Sequence, residues 1–202
     1  MPVNKSVCFC FAFPLSANSF EEAITDKKKD FIPHFVKFYE DPKTIVDWDF
    51  YRDKIVEPYE RLKNKFSHYN VDFVDECNFN DFEKVINNLS YKVIIVFSHC
   101  INNGHNDESI EFFDELVTTE RVLNAMLDIE RIYDFSVCKP EYMDKLMKAK
   151  RHNAVFGTSC DYIPVILWFY IYAELFALME TDKMDFLDAM YNVRKKYKKK
   201  HG

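Results

Sequence analysis

The chain has 202 residues, enough for one domain of ordinary size and too few for two comfortable ones. Hydrophobic residues make up 48% and charged residues 30%, and 20 Phe and 12 Tyr supply material for a sizeable core, which excludes an intrinsically disordered chain. Only 3 Gly occur, no G-x-G-x-x-G or G-x-x-x-x-G-K-[ST] pattern is present, and the net charge is -6, so neither a phosphate cradle nor a general attraction to nucleic acid is expected.

In chain order, the polar start Met1–Ser6 and the apolar run Val7–Leu15, with no small-residue cleavage site after it, do not read as a secretion signal. A cytoplasmic protein with reduced thiols is therefore expected of the six Cys. Val7–Phe13 (VCFCFAF), bounded by Pro14, reads as a central strand. Residues 16–48, with Pro33, Pro42 and the charge run Lys27–Asp30, read as short helices and loops. Phe50–Tyr69 places Ile55, Tyr59, Leu62 and Phe66 at spacings of three and four, which predicts a helix with one apolar face. A short strand is expected at Val71–Val74, a helix at Asp81–Leu89, and the clearest strand of the chain at Lys92–Phe97 (KVIIVF).

Cys100–Glu108 reads as a polar loop, and the pair Asp107–Glu108, like Glu21–Glu22, as solvated charge. A helix capped by Thr118 is expected to run to about Leu127, followed by a strand at Arg131–Val137. Pro140 suits the first position of another helix. Asn153–Gly157 is a strand candidate, and helices over Pro164–Met179 and Lys183–Lys198 close the chain. The apolar run Ile163–Met179 is interrupted by Glu174 and falls short of the roughly 20 residues of a membrane span, so it reads as a buried helix. Its aromatics Trp168, Phe169, Tyr170, Tyr172 and Phe176 read as core. The cations Arg194, Lys195, Lys196, Lys198, Lys199 and Lys200 suit the carbonyl end of the last helix.

Strands alternating with helices imply a mainly parallel sheet covered on both faces, a three-layer αβα domain spanning 1–202. Such sheets bind ligands beyond the carboxyl ends of their strands. His99 lies just past one predicted strand and Cys138 just past the next. Ends of adjacent strands are roughly 5 Å apart, so an imidazole and a thiol placed there can meet, and a thiolate needs such a partner to act as nucleophile. His105, in the same loop as His99, is the runner-up base. Cys8 and Cys10 share a strand face and could join Cys77 or Cys160 around zinc. The chain has no C-x₂-C pair, however, and core packing is the default, so neither metal nor cofactor is expected.

VIIVFSHC (Val93–Cys100) resembles the strand ending in Ser-His-Gly of the caspase-like cysteine proteases. IYDFSVC (Ile132–Cys138) resembles the next strand, which ends in the nucleophilic Cys, and LVTTERVLNAML (Leu116–Leu127) the helix between them. HNAVFGTSCDYIPVILWFYIYAELF (His152–Phe176) is similar to the strand and helix that follow the nucleophile in CHAT domains. The resemblance spans about Val71 to the C-terminus. It implies a caspase-like sheet and a thiol protease (a hydrolase) with His99 as base or imidazolium and Cys138 as nucleophile. Backbone N–H groups at Cys138 and near Cys100 would serve as oxyanion donors. Asp134, Ser136 and Asp161 would line the pocket for the residue before the cut. The implied partners are a protein or peptide substrate and a regulatory protein or second copy; nucleic acid and membrane are not among them. Three positions depart from the family: Cys100 stands where Gly is usual, and Lys139 and Pro140 where small residues are common. They keep open an inactive caspase-like adaptor or binding protein. A third possibility is an unrelated flavodoxin-like or receiver-like domain that binds a small ligand or partner; His99 and Cys138 on non-adjacent strands would decide for it.

Overall fold

The computed structural model describes residues 5–25, 47–102, 108–138, 141–150, 153–159 and 165–201. His105, Lys139, Pro140, His152, Cys160 and Asp161 lie outside them. The elements in order are β1 (Val7–Phe11), α1 (Ala17–Thr25), α2 (Trp48–Tyr51), a π-helical turn (Arg52–Val56), α3 (Glu57–Phe66), β2 (Val71–Val74), α4 (Phe79–Asn87), β3 (Val93–Phe97), β4 (His99–Asn102), β5 (Glu108–Glu111), β6 (Leu116–Thr118), α5 (Thr119–Ala125), β7 (Arg131–Cys138), α6 (Glu141–Lys150), β8 (Ala154–Ser159), α7 (Val165–Thr181) and α8 (Phe186–His201).

Five strands form one parallel sheet in the order β2-β1-β3-β7-β8, and β4, β5 and β6 form a separate antiparallel sheet. Helices cover both faces, making a three-layer αβα architecture. The alternation of side chains along a strand explains the layering. Val7, Phe9 and Phe11 of β1, with Val93, Ile95 and Phe97 of β3, face a core shared with α1, α2, α3, α7 and α8. Cys8 and Cys10, with Ile94 and Val96, face the other core, closed by α4, α5, α6 and the antiparallel sheet. Because both faces are covered, β1 and β3 are apolar throughout rather than alternating.

The helical face expected in residues 50–69 is present: Ile55, Tyr59, Leu62 and Phe66 are all buried. A π turn interrupts the helix at Arg52–Val56, however. Thr118 caps α5, its hydroxyl accepting the Arg121 N–H at 3.4 Å. The aromatics of α7 are core apart from Tyr170, which is 61% exposed. No helix among the described residues is long and apolar enough to cross a membrane.

Two sequence expectations are corrected. Cys100–Glu108 is not a plain loop, because its flanks pair as β4 and β5, His99 opposite Glu111 and Asn102 opposite Glu108. Glu108, expected in solvent, is 2% exposed. The sheet continues into Leu116–Thr118, which extends as β6 before the chain turns into α5.

Candidate active site

β3 and β7 are nearest neighbours and run parallel, with Val93 opposite Ile132 and Phe97 opposite Ser136. Thirty-nine positions separate each residue of β3 from its partner, and the same separation relates His99 to Cys138. The strands part after Phe97 and Ser136. β7 runs on to Cys138, while the continuation of β3 turns at Ser98 into β4. The turn is anchored where the Ser98 hydroxyl donates to the Glu111 carbonyl. β4 stays in contact with β7, so the segment carrying His99 lies against the strand that ends in Cys138. His99 is half-buried, and its Nε2 is shielded from solvent. Of Cys138 the structure describes the backbone, which pairs with Ser159 of β8.

The end of β7 is irregular. Phe135 is opposite Thr158 and Cys138 opposite Ser159, so Ser136 and Val137 have no counterparts in β8. A bulge of this kind bends a strand and re-aims the residues beyond it. Here it stands immediately before the candidate nucleophile.

Of the residues assigned to a substrate pocket, Asp134 and Ser136 are described. Both alternate with the inward-facing Tyr133 and Phe135 and turn to the α7 face, where they are 2% and 3% exposed. The Tyr172 hydroxyl donates to Asp134 Oδ2 at 2.9 Å and is hydrogen-bonded to the Ser136 hydroxyl. Asp134 Oδ1 is buried without a partner among the described residues. It lies over Gly157, the residue opposite it in β8, where an added Cβ would come within 3.2 Å of it. Burial pushes the Asp134 carboxyl up to about 6, against the opposing pull of Arg194 and of the Tyr172 hydrogen bond. Burial and the Asp134 charge push the Tyr172 phenol well above its ordinary range.

No family model matches the chain, and no curated protein matches it.

Cys100 is buried in the core formed with α4, α5 and α6, while its backbone belongs to β4. Cys8, Cys10 and Cys77 are buried together in the same core. Hydrogen bonding among the three and burial raise the Cys10 thiol, Cys77 acting most and Cys8 next. They are therefore packed thiols rather than nucleophiles. No cluster of three or more metal-ligating side chains occurs among the described residues.

The sequence reading missed Glu108. The Tyr142 N–H donates to its Oε2 at 3.0 Å, while the Met143 N–H donates to its Oε1 at 2.9 Å. The buried Thr119 hydroxyl donates to the same Oε1 at 3.0 Å. Nothing in the local sequence marks this, because the partners lie on α5 and at the start of α6.

Proposed function

We propose that this chain is a caspase-like cysteine endopeptidase using a His99/Cys138 dyad for acyl transfer. The observation that carries the reading is the parallel pairing of β3 with β7 together with the contact of β4 with β7, which puts the segment carrying His99 beside the strand that ends in Cys138. Two further features fit it: the bulge before Cys138 and the antiparallel sheet inserted in the chain between the two strands. Open parallel sheets bind ligands beyond the carboxyl ends of their strands.

In the proposed reaction His99 takes the Cys138 proton. The thiolate attacks the carbonyl carbon of the peptide, and the oxyanion accepts backbone N–H hydrogen bonds at Cys138 and near Cys100. The imidazolium gives its proton to the leaving amine. Water, activated by the same imidazole, then hydrolyses the thioester and frees Cys138. No cofactor takes part in this sequence. The pocket for the residue before the cut would form beside the end of β7, with Ser136 and Asp161 its candidate walls. Asp134 is the third candidate, buried like Ser136 and hydrogen-bonded to the same Tyr172 hydroxyl. A cytoplasmic setting, a protein or peptide substrate and a regulatory partner belong to the same proposal.

The adaptor reading is favoured by one observation: Cys100 packs into the core where the family has Gly. Incubation with a peptide library separates the two. The natural chain should cleave a subset of peptides that Cys138→Ala leaves intact. Identical profiles for the two chains would favour the adaptor.

A further inference from the structure

Glu108 is a carboxylate taken almost wholly out of water, which is unfavourable unless donors replace the lost hydration. Three donors do so: two backbone amides in the first turn of α6 and the Thr119 hydroxyl. An anion at the amino end of a helix satisfies free N–H groups and complements the helix dipole. Such caps ordinarily come from the residue just before the helix. This one comes from 34 and 35 positions earlier in the chain, on a different sheet. A local Ser or Asp would satisfy the same amides without burying a charge at a distance. What the remote carboxylate adds is a fixed joint between the β4–β5 hairpin and α6.

That joint spans the proposed dyad. Glu108 stands opposite Asn102 in the hairpin whose other end pairs His99 with Glu111. The amides it holds are four and five positions after Cys138. On this basis, and resting on the reading of the site proposed above, we infer that Glu108 is a positioning residue that locks the histidine-bearing hairpin to the helix following the nucleophile. It thereby sets the approach of imidazole to sulfur. The start of α6 is also held from α5, where the Tyr142 hydroxyl donates to Glu120 at 2.6 Å. Loss of Glu108 therefore loosens the joint without unseating the helix.

The test pairs two measurements on the natural chain, Glu108→Ala, Glu108→Gln and His99→Ala. One is amide hydrogen exchange at Tyr142 and Met143; the other is site-resolved alkylation of Cys138 by iodoacetamide at pH 6. Glu108→Ala should speed exchange at both amides about 10- to 100-fold, the loss of one or two charge-assisted bonds. It should also slow alkylation about tenfold, as a displaced partner would. Glu108→Gln keeps one carbonyl oxygen and should fall between, and it carries the comparison if the alanine variant does not fold. His99→Ala should slow alkylation while leaving exchange at the two amides unchanged. Faster exchange in the Glu108 variants with alkylation as fast as in the natural chain, while His99→Ala is slow, would overturn the positioning role and leave the dyad standing. Unchanged exchange at the two amides would overturn the joint itself. Alkylation indifferent to His99→Ala would instead remove the peptidase reading, and the positioning role with it.

Discussion

Asp134 shows how one side chain can be fixed by its sequence position and yet governed by its surroundings. Strand alternation alone sends it to the α7 face, since Tyr133 and Phe135 must face the other core. There it meets Tyr172 on one oxygen and no partner among the described residues on the other. Its carboxyl titrates near 6 in the folded chain against an ordinary 3.8. The folded state therefore holds a proton that the unfolded chain releases between those values. This contribution to stability is fully present below the lower value, and it is lost as pH rises through about 6. Asp134→Asn, which cannot ionise, should therefore raise the urea midpoint at pH 8. The gain is at most about 3 kcal/mol, because the carboxyl is displaced by roughly two pH units at about 1.36 kcal/mol each. At pH 4 the substitution should change the midpoint little. Equal shifts at the two pH values would show that burial of the charge is not the cause. Gly157 belongs to the same arrangement: Gly157→Ala should destabilise the fold by crowding Asp134 Oδ1, and the crowding should shrink in Gly157→Ala combined with Asp134→Ala.

At the scale of elements, β3 was legible because its five residues are β-branched or aromatic and buried on both faces, leaving no alternative period to compete. The helix around Tyr59 was legible from its spacing, but the π turn at Arg52–Val56 was not, because an extra residue in a helix leaves the composition unchanged. The β4–β5 pairing was hidden by chemistry. Asn102 and the two Glu of β5 look like solvated positions, yet Glu108 and Glu111 are both buried. The burial of Glu108 depends on donors supplied by distant elements, which no local pattern encodes. For the same reason Cys138 could be placed at a strand end from sequence, whereas the bulge at Ser136 and Val137 could not.

Arg131, at the opposite end of β7 from Cys138, makes an element-scale prediction. Its buried guanidinium donates to the carbonyls of Tyr91 at 3.0 Å, Asn88 at 2.9 Å and Ile86. One planar fork thus gathers the open carbonyl end of α4 and the entry to β3, a geometry that the single ammonium of Lys does not reproduce. Arg131→Lys should lower stability by about 2–4 kcal/mol, since two or more buried carbonyls lose their donor. Thermal unfolding checks this, and Cys138 reactivity in the surviving folded fraction should match the natural chain. An unchanged midpoint would show that water replaces the guanidinium without cost.

In the molecule as a whole, one sheet separates two cores, and the aromatic layer on the α7 side is the larger. Phe9 alone meets Tyr59, Phe73, Phe97, Tyr172 and Phe176 at ring-centroid distances of 5.2–6.3 Å. Phe9→Ala should cost about 3–5 kcal/mol, read as a lower denaturant midpoint with an unaltered slope. The parallel sheet and its two-layer cover were legible in the alternation of strands and helices. The neighbour relation of β3 and β7, on which the proposed chemistry rests, is a property of the whole topology, and the resemblance carried by SHC and FSVC pointed to it in advance. The most direct test of that relation is the pH dependence of Cys138 alkylation, resolved from the other thiols by mass spectrometry, in the natural chain and in His99→Ala. If imidazole and thiol meet, reactivity in the natural chain should persist well below pH 7, and His99→Ala should return its midpoint to the ordinary thiol value of about 8.5. One midpoint near 8.5 in both chains would contradict the account.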